Sequence, residues 1–147
     1  MKKLLIETHA FNVSPQQLNE NISEAGNLLV EGVLATAEVQ NGNGRYYAKG
    51  LWEREMDKYK ELIEQRRSMG ELDHPESSVV NLKNVSHLIT EFWWDGDNVM
   101  GKIEILPTPA GNILKEIIKS GVTVGVSSRG MGSLEQRNGM MEVQDDF

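Results

Sequence analysis

The sequence predicts an α+β domain, with a small and mostly antiparallel β-barrel, open or closed, flanked by helices. Apolar residues alternate with polar ones along residues 33–39 and 85–94, which is the period of a half-buried strand. Apolar residues at spacings of three and four mark a helix over residues 48–68 and another after Thr108. Turn-forming residues at 95–98 join two apolar segments, as a hairpin requires. These patterns give about four to six strands and two helices.

The chain is expected to divide into two regions. Residues 1–27 are predicted to form a polar N-terminal arm, in which residues 8–27 form a loop or a mobile segment. Residues 28–147 are predicted to form the main domain. This domain ends at Phe147 without an obvious closing element, so we expect it to be truncated.

The first half of the main domain is predicted to hold one strand and the longest helix. Residues 28–39 are β-like, and turn-forming residues follow at 41–44. Charged residues fill most other positions of the helix at 48–68, which Gly70 is expected to end. The apolar stripe of this helix consists of Trp52, Met56, Tyr59 and Ile63, with Leu51 and Leu62 beside it.

The second half is predicted to begin with a loop over residues 71–84 and a hairpin whose strands are 85–94 and 99–105. Thr108 and Pro109 are an N-cap and a first-turn proline, so they open the second helix. The buried stripe of that helix is expected to be Ile113, Leu114, Ile117 and Ile118.

The last predicted elements are a short strand and another hairpin. Gly121 is expected to end the second helix, and residues 122–126 then form the strand. Residues 131–143 are predicted to form the hairpin, with its turn at residues 137–139.

Composition excludes several classes of protein. The sequence has no cysteine, which excludes disulfides, thiolate metal sites and a cysteine nucleophile, and fits a reducing compartment. A net charge of −7 argues against nucleic acid as the main partner. No apolar segment approaches the roughly 20 residues of a membrane span, and the apolar segment before Glu7 is too short for a signal peptide. We therefore expect neither a nucleic-acid nor a membrane partner.

The basic pair Arg66 and Arg67 follows interleaved glutamates, which is typical of a solvated helix face.

The segment Gly125–Gly130 carries two hydroxyls and a guanidinium at the end of an apolar run. Alternate valines precede Ser127 on one face of the predicted strand, so Ser127 projects to the opposite face at the strand end. Ser127 is therefore the better candidate nucleophile, and the backbone N–H of Ser128 and the charge of Arg129 are candidates to stabilise an oxyanion. From spacing alone, a β-turn is the more common use of these residues. The segment also differs from the G-x-S-x-G nucleophile elbow, because its second glycine comes one residue late.

A histidine is the usual base for a serine nucleophile near neutral pH. His74 precedes a proline, which favours an extended conformation outside any helix. His87 is predicted to share a strand face with Glu91. It is either an ordinary half-buried strand histidine or the group that orients His74. Asp73, Glu91 and His87 all remain candidates for the third catalytic group, the one that orients His74.

The same side chains allow a second interpretation, a zinc site. His74, His87, Asp73 and Glu91 offer nitrogen and oxygen ligands. However, the sequence has no H-E-x-x-H and no pair of histidines four residues apart on a helix. We therefore expect no metal and no cofactor, and sensitivity to EDTA would distinguish a metal-dependent hydrolase.

Several of these segments together resemble the prohead core proteases of tailed phages, a family similar to the herpesvirus capsid maturation protease, assemblin. The specific part is the combination of Leu-x-His-Pro with Gly-Val-Ser-Ser-Arg-Gly, within a resemblance that runs in order over about residues 28–135. It implies a β-barrel flanked by helices, unlike the chymotrypsin and subtilisin folds. The segments that carry it are residues 70–75, 85–87, 91–96 and 125–133.

The resemblance implies a serine endopeptidase with residues 28–147 as its protease domain. It would act inside the immature prohead, in the host cytoplasm, where it digests the internal scaffold and trims capsid proteins. Its partners would be the scaffold, core and capsid proteins as substrates, and further copies of itself in a homo-oligomer. The catalytic serine and the catalytic histidine of the family correspond to Ser127 and His74. The herpesvirus relatives use a second histidine, for which His87 is the candidate here.

The resemblance also implies a cleavage preference. Phage relatives tend to cleave after Glu in a Leu/Ile-x-Glu context that Ala or Gly follows. The stretch at residues 22–26 matches, because Glu24 follows Ile-Ser and precedes Ala25, so self-cleavage after Glu24 is expected in the polar arm. Residues 29–32 also match, but they lie in a predicted strand, where cleavage needs unfolding. The alternative function is a catalytically silent scaffold or capsid-assembly module with the same fold.

Overall fold

The computed structural model describes residues 2–11, 23, 25–72, 80–144 and 147, and every structural statement below refers to these residues. They include two α-helices, α1 (Lys49–Glu64) and α2 (Pro109–Lys119), and a short 3-10 helix (Leu82–Asn84). The strands are β1 (Lys3–Phe11), β2 (Leu29–Thr36), β3 (Arg45–Tyr46), β4 (Met69–Glu71), β5 (Val85–Asp95), β6 (Asn98–Ile105), β7 (Val124–Gly132), β8 (Leu134–Arg137) and β9 (Met140–Val143).

The strands form three separate sheets rather than a barrel. Their orders are β1-β7, β2-β6-β5-β4 and β3-β9-β8, and all pairs are antiparallel except β3-β9. The α+β class and the antiparallel character are therefore confirmed, whereas the predicted barrel is wrong for the described residues. The physical reason is that β7 pairs with the N-terminal strand β1, not with an edge of the four-stranded sheet, so no continuous ring of ladder hydrogen bonds closes.

The strand β1 is the main departure from the predicted arm. Residues 8–11, which the sequence analysis assigns to a loop or mobile segment, belong to this nine-residue strand. Its register with β7 runs without a break from Lys3 opposite Gly132 to Phe11 opposite Val124. The partner of the first strand thus lies more than a hundred positions along the chain, which no local pattern reveals.

Two apolar clusters form the core, and β1 contributes to both. Phe11 packs with Val30, Ile103 and Ile118 between the four-stranded sheet and α2. Leu5 packs in the second cluster, whose other buried members are Tyr47, Leu51 and Val143. Apolar burial at both ends of β1 fixes this strand, and through it β7, against the rest of the molecule.

Local sequence signals placed α1 well but not its C-terminal boundary. The helix ends at Glu64, and Gly70 lies in β4 rather than at a helix end. Arg66 instead adopts the left-handed conformation, with φ at 55°, in the turn that follows the helix. A glycine usually occupies such a position, because its lack of a Cβ removes the steric penalty.

The helix α2 begins as predicted. The Thr108 side chain accepts a hydrogen bond from the Gly111 N–H, and Pro109 occupies the first turn. Ile118 is buried as expected, but Ile113 is 53% exposed. Gly111 is buried instead, and a Cβ there would lie 1.8 Å from the Leu106 oxygen. The helix therefore packs through Ala110 and Gly111 together with Leu114 and Ile118 of the predicted stripe, and Ile113 lies outside the packed face.

Both predicted hairpins are present. The strands β5 and β6 pair around residues 95–98, and β8 and β9 pair around Asn138 and Gly139, which both have positive φ. None of the described helices combines the length and the apolar character that crossing a lipid bilayer requires.

Candidate active site

Ser127 lies inside β7, neither at a strand end nor in a turn as the sequence patterns suggested. Its Cα pairs with that of Thr8, and the strand continues through the following glycines to Gly132. The strand is longer than predicted because β1 supplies a nine-residue hydrogen-bonding partner. Ser127 also lacks a positive φ, so it is not on a strained nucleophile elbow.

The predicted orientation of Ser127 agrees with the packing. Val124 and Val126 pack against the first core cluster, so alternate residues of β7 face inward. Ser127 therefore lies on the outer face, on the same side as Thr8. Ser127 is half-buried and lies in the two-stranded ribbon that β1 and β7 form.

Ser128 points inward, next to a cavity of about 260 Å³. Its register partner Glu7 also lines this cavity, together with Leu34, Tyr47 and Trp52. The indole Nε1 of Trp52 is buried and has no hydrogen-bond partner among the described residues. Thr8, the register partner of Ser127, lines this cavity as well.

Glu7 is the centre of a polar network that the sequence analysis did not identify. Its carboxylate accepts hydrogen bonds from Asn41 Nδ2 and Asn43 Nδ2, both at 2.8 Å, from Arg45 Nη1 at 3.0 Å and from the Tyr47 hydroxyl. Burial, and then the hydrogen bond to Glu7, raise the pKa of the Tyr47 phenol, so it stays a donor. Glu7 lies between the core residues Leu5 and Phe11 at even spacing, and this spacing of apolar residues was the available signal for a strand here.

His87 lies in β5, between β4 and β6. Its Nδ1 is 2.8 Å from the Ser86 hydroxyl, and its Nε2 packs against the backbone of Gly70. Burial lowers the pKa of His87 to about 4, so the ring is neutral at pH 7. Both ring nitrogens therefore face groups of β4 and β5.

Glu91 does not share a face with His87, so that prediction is wrong. The pairing of β5 with β6 shifts between Ile89 and Glu91, which is a β-bulge. A bulge of one residue turns the following side chains to the other face of the strand. Glu91 accordingly lies opposite Lys102, with 3.5 Å between their charged atoms, while His87 lies opposite the core residue Ile105.

Several predicted site residues lie outside the described part of the chain. These are His74 and Asp73, and Glu24 of the expected self-cleavage site. Arg129 lies in β7 opposite Ile6, and Ala25 is exposed in a turn before β2. Among the described residues, no cluster of three or more histidines or carboxylates is suited to a metal ion.

Glu104 of β6 is a buried carboxylate, and it was not among the predicted site residues. It is 3% exposed and accepts hydrogen bonds from Ser23, Asn27 and Arg66. The Arg66 side chain is 59% exposed, as expected for a solvated residue, but it lies beyond the end of α1 and pairs with a buried carboxylate. A carboxylate between Ile103 and Ile105, near the end of β6, was the local signal for this position.

Comparison with known protein families shows which family the chain belongs to. A family model described as prohead core protein serine protease matches residues 5–147. The chain belongs to the prohead core protein serine protease family. The match begins within β1, so the N-terminal strand is part of the family's domain, together with β7 and Ser127.

Two relatives support the assignment to this family. The prohead core protein protease of Enterobacteria phage T4 is 35% identical over 114 residues, which are 76% of this chain and 54% of that protein. The chain thus spans about half the length of this curated relative. A solved structure of the bacteriophage T4 capsid assembly protease matches with a TM-score of 0.86 and 31% identity, covering 97% of this chain and 90% of that one.

Proposed function

We propose that this chain is a serine endopeptidase that digests the internal scaffold and trims capsid proteins in the phage prohead, in the host cytoplasm. The observation that carries the proposal is family membership across residues 5–147, combined with the outward position of Ser127 on β7. The strand β7 is hydrogen-bonded to β1, so the backbone of Ser127 is already ordered. Ser127 therefore loses little conformational entropy when it attacks the substrate.

In the proposed mechanism, His74 removes the proton from the Ser127 hydroxyl as its oxygen attacks the scissile carbonyl. The backbone N–H groups near Ser128 and Arg129 stabilise the resulting oxyanion. His74 then returns the proton to the amine that leaves, and the acyl chain remains on Ser127. Water, deprotonated by His74, attacks this ester and releases the new carboxyl end, which restores both groups.

His87 is our candidate for the third member of the catalytic triad, the group that orients His74. A neutral ring suits this role, because it keeps a lone pair that accepts a hydrogen bond. Burial lowers the pKa of His87 to about 4 and so maintains the neutral form. Glu91 is a weaker candidate, since its carboxylate pairs with Lys102 on the other face.

The proposed substrates carry Glu before the scissile bond, in a Leu/Ile-x-Glu context followed by Ala or Gly. The chain's own Glu24–Ala25 bond fits, so we propose self-cleavage there. Further copies of this chain are then substrates as well as partners in an oligomer.

The first prediction tests the nucleophile. Ser127→Ala is expected to lower kcat by at least about 10³-fold on a quenched peptide containing Ile-Ser-Glu-Ala-Gly, because the attacking oxygen is lost. Ser128→Ala is the matched control and should retain cleavage, since the substitution leaves the backbone N–H in place. The assay follows peptide fluorescence, with circular dichroism to verify folding.

Four results would contradict the proposal. Equal cleavage by Ser127→Ala and the parent would remove Ser127 from the reaction. Loss of cleavage only in Ser128→Ala would assign the nucleophile to the neighbouring residue. A folded parent that cleaves neither this peptide nor scaffold protein would favour the silent assembly module, and inhibition by EDTA would favour a metal-dependent hydrolase.

A further inference from the structure

The strand that carries Ser127 has a single ladder partner within the described part of the chain. The strands β1 and β7 pair with each other, and neither joins the other two sheets. Among the described side chains of β7, Val124 and Val126 pack against a core cluster, and both precede Ser127. The position of the strand from Ser127 onward therefore depends mainly on what holds β1.

Glu7 is a polar anchor of β1 between two apolar anchors. Leu5 and Phe11 are buried in the two core clusters, and Glu7 lies between them on the same face of the strand, with its side chain 13% exposed. Displacing the Glu7 carboxylate breaks several charge-assisted hydrogen bonds together. Its donors come from one segment after β2, and they are Asn41 Nδ2, Asn43 Nδ2, Arg45 Nη1 and the Tyr47 hydroxyl.

The segment that supplies these donors is itself ordered. The Asn41 N–H donates to the Arg45 oxygen at 2.9 Å, and the Asn41 Oδ1 accepts from the N–H groups of Asn43 at 2.9 Å and Arg45 at 3.0 Å. Tyr47 is buried and packs with Leu51, near the start of α1. Glu7 therefore attaches β1 to a turn with its own hydrogen bonds and to a tyrosine fixed in the core.

The register places this anchor directly across from the backbone donors proposed for the oxyanion. Glu7 pairs with Ser128, and Ile6 pairs with Arg129, in a ladder that runs without a shift. In an unbroken antiparallel ladder, successive residues turn their N–H groups alternately toward the partner strand and away from it. The N–H of either Ser128 or Arg129 therefore points away from β1, as a donor to a substrate must.

We propose that Glu7 is a positioning residue, which fixes β1 and, through the ladder, holds the backbone donors beside Ser127 where the oxyanion forms. An oxyanion donor acts within a narrow range of distance, so a small shift of β7 weakens it. The oxyanion exists in the transition state and not in the bound substrate, so the loss falls on kcat rather than on KM. The inference deepens the proposed function and rests on it.

Glu7→Gln in the full chain tests this role. Glutamine keeps the shape of the side chain, but its amide nitrogen would face donors that the carboxylate now accepts from. We expect kcat to fall about tenfold on the quenched peptide containing Ile-Ser-Glu-Ala-Gly, while KM stays within about twofold. The assay is run at a temperature at which circular dichroism shows that each variant is fully folded.

Glu104→Gln is the matched control. Glu104 is also a buried carboxylate that accepts several hydrogen bonds, and the same substitution disturbs them in the same way. It lies in β6, which pairs with β2 and β5 and not with the β1–β7 ribbon. We expect lower stability without a change in kcat. Tyr47→Phe removes one donor to Glu7 and keeps the ring, so it should lower kcat by a smaller factor than Glu7→Gln.

Hydrogen exchange provides a readout that does not need activity. Mass spectrometry compares amide exchange in peptides from β7 with exchange in peptides from the β5–β6 hairpin. Glu7→Gln should accelerate exchange in β7 about tenfold and leave the hairpin unchanged, because the ribbon alone loses its anchor. Glu104→Gln should not accelerate exchange in β7 selectively.

Unchanged kcat in folded Glu7→Gln overturns the inference, and so does a rise in KM alone. An equal loss of kcat in Glu104→Gln also overturns it, because it shows general destabilisation. If Glu7→Gln does not fold, the comparison of Tyr47→Phe with Glu104→Gln decides in the same way. A parent that cleaves no substrate refutes the proposed function. In that case, faster exchange confined to β7 in Glu7→Gln still supports the anchoring of the ribbon by Glu7, and unchanged exchange refutes it.

Discussion

At the scale of single residues, close packing makes two positions unusually intolerant of change. Gly70 is one, because a Cβ there would lie 2.0 Å from His87 Nε2. The ring cannot move away freely, since its Nδ1 is bonded to the Ser86 hydroxyl. Gly111 is the other, and its obstruction is backbone rather than side chain. Glycine at these positions is required by space and not by a positive φ.

Gly70→Ala is expected to lower the free energy of unfolding by about 1–3 kcal/mol, because the methyl group displaces the half-buried ring of His87. Urea unfolding measures the change. Gly42→Ala is the matched control, since a Cβ at Gly42 meets nothing within 4 Å and its φ is not positive. In a His87→Ala background the cost of Gly70→Ala should shrink. The same cost with and without the ring would show that the contact is not the cause.

At the scale of elements, the hydroxyl of Thr108 connects α2 to the sheet that it covers. It accepts from the Gly111 N–H at 2.9 Å and donates to the Val85 oxygen at 2.5 Å. The first contact caps the helix, and the second attaches the cap to the start of β5. The N-terminus of α2 is therefore positioned by one side chain with two partners.

Thr108→Ala should lower the free energy of unfolding by about 1–2 kcal/mol, because both hydrogen bonds are lost. Thr108→Ser keeps the hydroxyl and should recover most of this loss in the same urea titration. Thr123→Ala, at an exposed position after α2, is the control for the substitution itself. Equal stability of the Ala and Ser variants would exclude the hydroxyl as the source.

At the scale of the whole molecule, two buried groups make stability fall as the solution becomes acidic. Burial lowers the pKa of His87 to about 4. Between the ordinary value of 6.5 and about 4, the unfolded chain therefore binds a proton that the folded chain does not. Burial by itself raises the pKa of Glu104, but hydrogen bonds from Asn27, Arg66 and Ser23 outweigh it and lower that pKa below 4.5. Glu104 thus adds a further loss of stability below pH 4.5.

His87→Gln should remove the part of this acid sensitivity that lies between pH 6.5 and 4. The wild type is expected to lose up to about 3 kcal/mol more than the variant over that interval, from the size of the pKa shift. Urea unfolding at several pH values measures the free energy of unfolding of both proteins. Subtracting one from the other cancels the contributions of the other titratable groups. Parallel pH profiles for the two proteins would refute the assignment to His87.

The sequence by itself determined the features that depend on neighbouring residues. Turn chemistry at residues 95–98 gives the β5–β6 hairpin, and the hydroxyl of Thr108 gives the start of α2. Period-two alternation in β7 gives the outward side of Ser127, whatever that strand pairs with. These features are decided by hydrogen bonds and side-chain directions within a few positions, so a local pattern is sufficient.

Only the tertiary structure decided which segments meet. The pairing of β1 with β7 made part of the predicted arm a strand and extended the strand around Ser127, and within the described part of the chain the sheets do not close into a barrel. A bulge moved Glu91 away from the strand face of His87. The buried carboxylate of Glu104 accepts hydrogen bonds from Asn27 and Arg66, which lie far away in the sequence. The physical reason is that ladder pairing and burial are contacts between distant positions. Their free energy depends on the partner as much as on the residue itself, and the partner is not encoded nearby.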